Sequence, residues 1–378
     1  MKAKKNRVLF ILLILILSYN LQAQISSSAN FIKGGIHDAE KIISAYLLPV
    51  EQALSYDGAN NNMLIFKNST DNHFRIGIGF DFTNSFINSD NFTYDINDLN
   101  LTEFEPKNPN ATIAQTFAGN ESTITLQTKD KYYLPTTFYP FYQEIPVLTI
   151  ESPMGKNVTY IPFPAIHLFA EKNGNSLEFK ILPPFKIKQS TIGLFGIGVN
   201  IQHNLETSLS FVSNNFVDFY ISGGIHYNQI IYYLDVKPNE DALTLSDQSD
   251  NGPYDNQKFI IGANSIPVRF TITKPIHNFS FFVSGGYDIM NSIVKMVGKY
   301  PVYSTDPTNQ FQIIAEDIEV PIEYLQNFNN LSFDTGLSYQ SKNFLIELKY
   351  AHSYYKNIDI SLAFMFGMKK SKSIIPEL

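Results

Sequence analysis

From Phe74 to Thr83 the chain alternates without a break. Phe74, Ile76, Ile78, Phe80 and Phe82 are apolar, and Arg75, Gly77, Gly79, Asp81 and Thr83 lie between them. A period of two marks a β-strand whose two faces meet different surroundings. The same grammar returns at 195–202, 217–228, 268–273, 279–289, 331–340, 344–350 and 358–367. The apolar set is Phe, Ile, Leu and Tyr with little interruption, whereas the other set is mostly Gly, Ser, Thr and Asn with single charges.

That second set decides between two all-β architectures. In a soluble sandwich the polar face meets water and fills with long Lys, Glu and Gln side chains. Small residues suit the crowded inner wall of a closed barrel instead, and the apolar set then faces lipid. Strands of about ten residues, rising ~3.3 Å each and tilted ~40°, cover roughly 25 Å of membrane. The expected fold is a transmembrane antiparallel β-barrel, with a secreted β-sandwich as the alternative.

Turn chemistry threads the strands. Lys172-Asn173-Gly174-Asn175 reads as a tight hairpin, because Asn-Gly accepts the positive φ angles of a type I′ turn. Short connections are also expected at 274–278 and 340–343, and long polar loops at 237–256 and near 298–310. Short turns face the periplasm in this class. Strands are then expected near 74–83, 163–171, 176–182, 192–202, 216–236, 257–273, 279–297, 331–340, 344–353 and 358–367. An even total with further strands drawn from 91–96, 112–117, 122–128 and 158–163 gives 12 or 14, of which 14 is preferred. The hexapeptides 219–224 and 281–286 resemble each other at an offset of 62, which is too little to define a repeat.

The amino terminus sets the compartment. Lys2, Lys4, Lys5 and Arg7 precede an apolar run at 8–17, and Ala23 offers a cleavage point, so 1–23 reads as an export signal. The run is about half the ~20 residues needed for a membrane anchor. Removing those four positive charges leaves 24 basic against 35 acidic residues, a net charge of −11. Nucleic acid is therefore not an expected partner. The chain has no Cys, which excludes disulfides, thiolate metal sites and lipoprotein anchoring. The organisation expected is a signal at 1–23, a helical hatch segment at 24–60, a barrel at 61–368 and a basic tail at 369–378.

One helix is expected ahead of the first strand. Asp38 is its N-cap, Ile42, Ile43, Tyr46, Leu47, Val50, Ala53 and Leu54 form an apolar side, and Pro49 interrupts it. Such a stripe needs a partner, supplied either by the barrel's underside or, as a hatch of Asp38, Ile42, Tyr46, Leu47 and Pro49, by the lumen. The inner face of the strands is expected to carry Arg75, Asp81, Asp218, Tyr220, His226, Arg269, Phe282, Asp288, Asp334, Glu347, Lys349 and Asp359. These residues either pair and hydrate the lumen or line a pathway, with Arg75 or Arg269 receiving a carboxylate and Tyr220 and Phe282 walling an apolar pocket.

No Gly-x-Ser-x-Gly elbow, His-Glu-x-x-His helix or phosphate loop is present. The nearest catalytic grouping, His226 with Asp218, Ser222 and Asn228, lies along one strand and is too spread for mutual hydrogen bonds. No enzyme activity, cofactor or metal is expected.

The segment Asp38-Ala39-Glu40-Lys41-Ile42-Ile43-Ser44-Ala45-Tyr46-Leu47-Leu48-Pro49, together with Gly79-Phe80-Asp81-Phe82-Thr83 and 196–204, resembles an uncharacterised family of outer-membrane barrels of Bacteroidota type. That family is similar in architecture to the fatty-acid and hydrocarbon transport barrels of the FadL type. The resemblance implies an outer-membrane location, contact with membrane lipid, and passive uptake of a hydrophobic or amphipathic small molecule past a hatch. The helical segment has no Asn-Pro-Ala box, which those transporters carry in the hatch. The competing expectation is a non-transporting platform for secretion or surface-assembly partners, engaged through 237–256. An apolar tunnel to a side opening would favour transport, and a plugged lumen under an ordered outer layer would favour the platform. A charge placed at Ile78 or Phe364 should hinder insertion more than one at Gly79.

Overall fold

The computed structural model describes residues 36–60, 64–65, 74–135, 142–146, 149–186, 192–208, 216–234, 256–306, 309–319 and 322–368. The expected signal and basic tail lie outside the described residues, as does the loop at 237–256 except for its last residue.

Ten strands close into an antiparallel barrel. They are β1 (Phe74–Phe86), β2 (Tyr160–Lys172), β3 (Asn175–Lys186), β4 (Ile192–Asn204), β5 (Asp218–Tyr233), β6 (Lys258–Ile276), β7 (Phe279–Val297), β8 (Glu323–Gln340), β9 (Phe344–His352) and β10 (Lys356–Met368). Each strand pairs with its neighbours in sequence, and β1 pairs with β10 from Phe74↔Met368 to Phe86↔Lys356 to close the ring. These are the ten strands read from the alternation. The expectation of 12 or 14 is corrected, because the stretch between β1 and β2 adds none to the barrel. Its residues pair among themselves in small sheets, Thr93–Asp95 with Ile113–Gln115, and Phe104–Pro106 with Thr125–Thr128 and Thr149–Glu151. Three- and four-residue strands are too short to cross a bilayer. The loop expected near 298–310 is largely a hairpin outside the ring, pairing Lys299–Asp306 with Asn309–Glu319.

Alternation divides the wall into two surfaces. On β10, Ile360, Leu362, Phe364 and Phe366 point outward while Ala363 and Met365 are buried, with Phe364 61% exposed against 1% for Ala363. Outward aliphatic and aromatic side chains continue around every strand from β1 to β10, for example Ile78, Leu168, Phe179, Ile197, Ile225, Phe270, Phe281, Leu331 and Leu348. A continuous apolar exterior of this extent exceeds what a monomer shows to water.

The two ends of the barrel differ. At one end the β2–β3 turn has φ of 55° at Asn173 and 75° at Gly174, the type I′ hairpin expected, and His277-Asn278 joins β6 to β7 equally tightly. Gly174 fits because a left-handed φ carries no side-chain penalty there. At the opposite end lie the long β1–β2 connection and the 299–319 hairpin.

Helix α1 (Ile36–Asn60) sits inside the ring. It packs against β1, β2, β5, β6, β7, β8 and β10, which lie on all sides of it. Every residue from Ala53 to Asn60 is buried, which a helix on a barrel's rim could not achieve. Pro49 does not end the helix, although it removes one backbone hydrogen bond. The residue read as its N-cap is also corrected. Asp38 lies in the first turn, and its carboxylate accepts the backbone N–H groups of Thr102 (2.8 Å), Glu103 (2.6 Å) and Phe104 (2.9 Å). It thus ties the helix to the β1–β2 connection. Burial alone would raise this carboxyl's pKa; the three N–H donors and the Thr102 hydroxyl outweigh it and hold the group below its ordinary value.

Candidate functional site: a filled lumen

The helix enters at the end that carries the long connections and descends to mid-barrel. Its upper part is held by Tyr46, whose hydroxyl donates to the Met154 carbonyl (2.9 Å) and whose ring meets Phe117 edge-on at 5.8 Å. Below that, Glu51 accepts hydrogen bonds from Ser292 of β7 and from the Tyr324 hydroxyl of β8 (2.6 Å). Deeper still, Asp57 accepts from Ser85 of β1 (2.7 Å), and Ser85 in turn accepts from Asn357 of β10 (2.7 Å). At the helix end, the Lys349 ammonium donates to the Asn60 carbonyl (2.5 Å). A cation at a helix C-terminus satisfies a terminal carbonyl and complements the dipole.

Beneath the helix the strands themselves fill the lumen with paired charges. Lys349 of β9 also meets Asp359 of β10 at 3.1 Å, and Glu347 accepts the backbone N–H of Ile65 at 2.9 Å. Arg269 of β6 bridges Asp288 of β7 and Asp334 of β8, the latter at 3.2 Å. Lys180 of β3 reaches across β2 to Asp81 of β1 (2.5 Å), and His167 of β2 contacts Glu178 and lies 3.7 Å from Asp81. His226 of β5 bonds Asn200 of β4 (2.7 Å), and Arg75 meets Glu171 at 3.3 Å nearer the short-turn end. The ion pairs join the same or nearby strands, because side chains on one wall reach each other before they reach the opposite wall.

All twelve inner-face residues read from the alternation lie on the side away from the apolar exterior, with Arg75 the most exposed of them. The two arginines assigned to receive a cargo carboxylate are both engaged by carboxylates of the chain itself. The two aromatics assigned to an apolar pocket are packed: the Phe282 ring lies over Gly336, and Tyr220 lies against the Gly174 turn. Asp218 is buried beside Tyr220 near that same end.

Sequence reasoning missed Glu171, Glu178, Lys180, His167 and Asn200. On β2 the inward set is Phe163, Ala165, His167, Phe169 and Glu171, so apolar residues fall on both faces and dilute the signal. On β3 the signal was present, since Ser176, Glu178 and Lys180 alternate with Leu177, Phe179 and Ile181.

Most inner glycines leave no free space; Gly367, at the short-turn end opposite Arg75, is the exception among the described inner glycines. A Cβ at Gly58, Gly79, Gly198, Gly224, Gly286 or Gly336 would come within 3 Å of a neighbouring side chain, at Gly79 within 1.7 Å of His167 Nε2. The expectation that a charge at Gly79 hinders insertion less than one at Ile78 or Phe364 left out this collision, which adds a steric cost at Gly79. Of two hollows among the described residues, one lies around Leu168, Phe179 and Phe366 on the outward wall, and the other, near the short-turn end, is lined by Ile201, Ile221 and Val268 together with Glu171, Ser176 and Gln202.

One group has the composition of a metal site. The ligand atoms of Asp81, His167 and Glu178 lie within 4.8 Å of one another, all buried. The Lys180 ammonium contacts Asp81 and lies 3.8 Å from Glu178, and so supplies the positive charge that a cation would bring.

The family pattern of DUF6588, a family of unknown function, matches residues 1–366. The chain belongs to that family. The match carries no fatty-acid or hydrocarbon specificity. No curated protein is matched by the sequence. Among solved structures, the chain is similar to Ail, the attachment invasion locus protein of Yersinia pestis, at 8% identity over 78% of this chain and 99% of that one, with a TM-score of 0.27. It is similar to the outer membrane protease OmpT of Escherichia coli at 10% identity over 79% and 98%, with a TM-score of 0.26. It is similar to the Pseudomonas putida toluene transporter TodX at 7% identity over 83% and 96%, also with a TM-score of 0.26. At these scores the similarity is too distant to bear on topology or activity.

Proposed function

We propose that this member of DUF6588 is an outer-membrane β-barrel that works as a closed anchor, holding the folded β1–β2 connection at the cell surface as a platform for partners. The membrane reading is supported by the continuous apolar exterior on a closed ring whose strands are long enough to span. Short turns then face the periplasm, and the end bearing the long connections faces outward.

The observation that carries the closed state is the filled lumen. Helix α1 occupies its outer half, paired charges occupy its inner half, and the inner glycines Gly79, Gly198, Gly224, Gly286 and Gly336 are each covered by a neighbour's side chain. Above it stands an ordered layer, fastened to the helix through Asp38, Lys41 and Tyr46. The passive-transport reading would require the helix to leave together with its bonds to Ser85, Ser292, Tyr324 and Lys349.

The test is ion conductance in planar bilayers, with swelling of sugar-loaded liposomes beside it. The wild-type barrel is expected to be silent, and a variant lacking residues 36–60 to conduct. A steady open conductance of the wild-type protein would overturn the closed-anchor reading. Should the deletion fail to insert, Asp57→Ala with Glu51→Ala, which loosens the helix without removing it, is expected to give intermittent conductance.

A further inference from the structure

We infer that the chain's exported amino-terminal end is delivered to the cell surface, so that the platform displays it together with the β1–β2 connection. The inference rests on the membrane orientation proposed above, and beyond that on the direction in which α1 runs.

The helix is polar in its attachments. Asp38, in its first turn, is bound by Thr102, Glu103 and Phe104 of the outer layer, and Lys41 donates to the Asn100 carbonyl (2.7 Å). Asn60, its last residue, is held at mid-barrel by Lys349, and five residues later the Ile65 N–H meets Glu347. Leu64 then packs with Phe169, Leu345, Ala363 and Met365, before β1 begins at the short-turn end with Phe74 paired to Met368. The chain therefore runs inward from the outside, first as the helix and then toward the periplasmic rim. Ile36 and His37 are the exposed residues of this helix, and they mark where it leaves the outer layer.

With cleavage after Ala23, twelve residues precede Ile36, and fully extended they reach about 40 Å. That length would suffice to cross the membrane, so the route decides. Through the lumen the way is taken by α1 itself, about 37 Å long at 1.5 Å per residue, and by the charged layer below it. Through lipid, an irregular segment would expose unpaired N–H and C=O groups to hydrocarbon, which is not tolerated. The remaining direction is outward. It follows that the leading end of the exported chain crosses the membrane during assembly, ahead of the strands that later surround it.

The absence of cysteine from the whole sequence makes the test direct. Single cysteines are placed at Ser27, at Asn120 in the outer layer and at Asn173 in the β2–β3 turn, and whole cells are treated with a membrane-impermeant maleimide before and after the outer membrane is permeabilised. Ser27→Cys is expected to label on intact cells as fully as Asn120→Cys, with Asn173→Cys labelled only after permeabilisation. If Asn120→Cys labels on intact cells and Ser27→Cys does not, the inference is overturned, whether Ser27→Cys then labels after permeabilisation or, with the residue shown present by mass spectrometry, under neither condition. If Asn120→Cys and Asn173→Cys exchange behaviour, the orientation underlying the proposed function fails instead.

Discussion

The triad Asp288–Arg269–Asp334 offers the sharpest energetic test of the filled lumen. Arg269 is 2% exposed, both carboxylates are buried, and the guanidinium contacts each of them. Replacing Arg269 with Met keeps much of the volume and removes the only positive group in that triad, leaving two like charges in a low-dielectric interior. Breaking a buried pair in this way costs about 3–5 kcal/mol, and the loss of their shared cation by two carboxylates at once places the expected loss toward the upper end of that range. A loss of about 4 kcal/mol lowers the folding equilibrium constant roughly a thousandfold, since each 1.4 kcal/mol is a factor of ten. The variant Arg269→Met/Asp288→Asn/Asp334→Asn removes the charge altogether and is expected to recover most of the loss, because the cost lies in unpaired charge rather than in missing attraction. The assay is urea unfolding of the barrel from phospholipid vesicles, comparing midpoints at a common slope. A single variant within about 1 kcal/mol of wild type, or a triple variant no better than the single one, would refute the claim that these charges are paired in a filled lumen.

Three further outcomes are expected. Phe364→Arg, on the apolar exterior, should cost about 2–4 kcal/mol of insertion free energy near mid-membrane, and Gly79→Arg should be no milder because its first side-chain carbon already collides with His167; vesicle refolding yields compare the two. Asp38 has a pKa held below the ordinary 3.8, so its attachment of the helix to the outer layer contributes in full above that value and is lost as pH falls through the lower folded value; protease release of the helix start should therefore rise only in strong acid, should be independent of acid in Asp38→Asn, and a transition near neutrality would contradict the assignment. Lys180→Ala should turn Asp81, His167 and Glu178 into a binding site for a divalent cation such as zinc, so that zinc raises the variant's unfolding temperature and leaves that of the wild type unchanged.

The ten barrel strands were legible because lipid outside and a crowded lumen inside impose opposite demands on adjacent residues. Phe364 beside Ala363 states both demands within two positions. The stretch between β1 and β2 was misread because its short strands meet neither lipid nor lumen. Leu126 and Phe104 are buried in the hydrophobic cluster that joins the β1–β2 connection to α1, and a three-residue strand has too few positions to show a period. The inner face was legible residue by residue, but its pairing was not. Whether Lys180 meets Asp81 depends on the stagger of β1, β2 and β3, which is set by hydrogen-bond register around the closed ring rather than by any local spacing. The role of Asp38 was hidden for a similar reason. A carboxylate in a first helical turn is expected to serve its own helix, and only the fold brings the N–H groups of Thr102, Glu103 and Phe104 to it.

The pairing of β1 with β10 has a consequence for biogenesis. Because the first strand of the ring waits for the last, Lys356–Met368 must arrive before the cylinder can shut. Helix α1 comes earlier in the chain and ends up enclosed, so it has to be seated while the sheet is still an open gutter. A nascent chain stopped short of residue 356 would hold a cradled helix along an unzipped margin, and release from the assembly machinery would hinge on its final thirteen-residue strand.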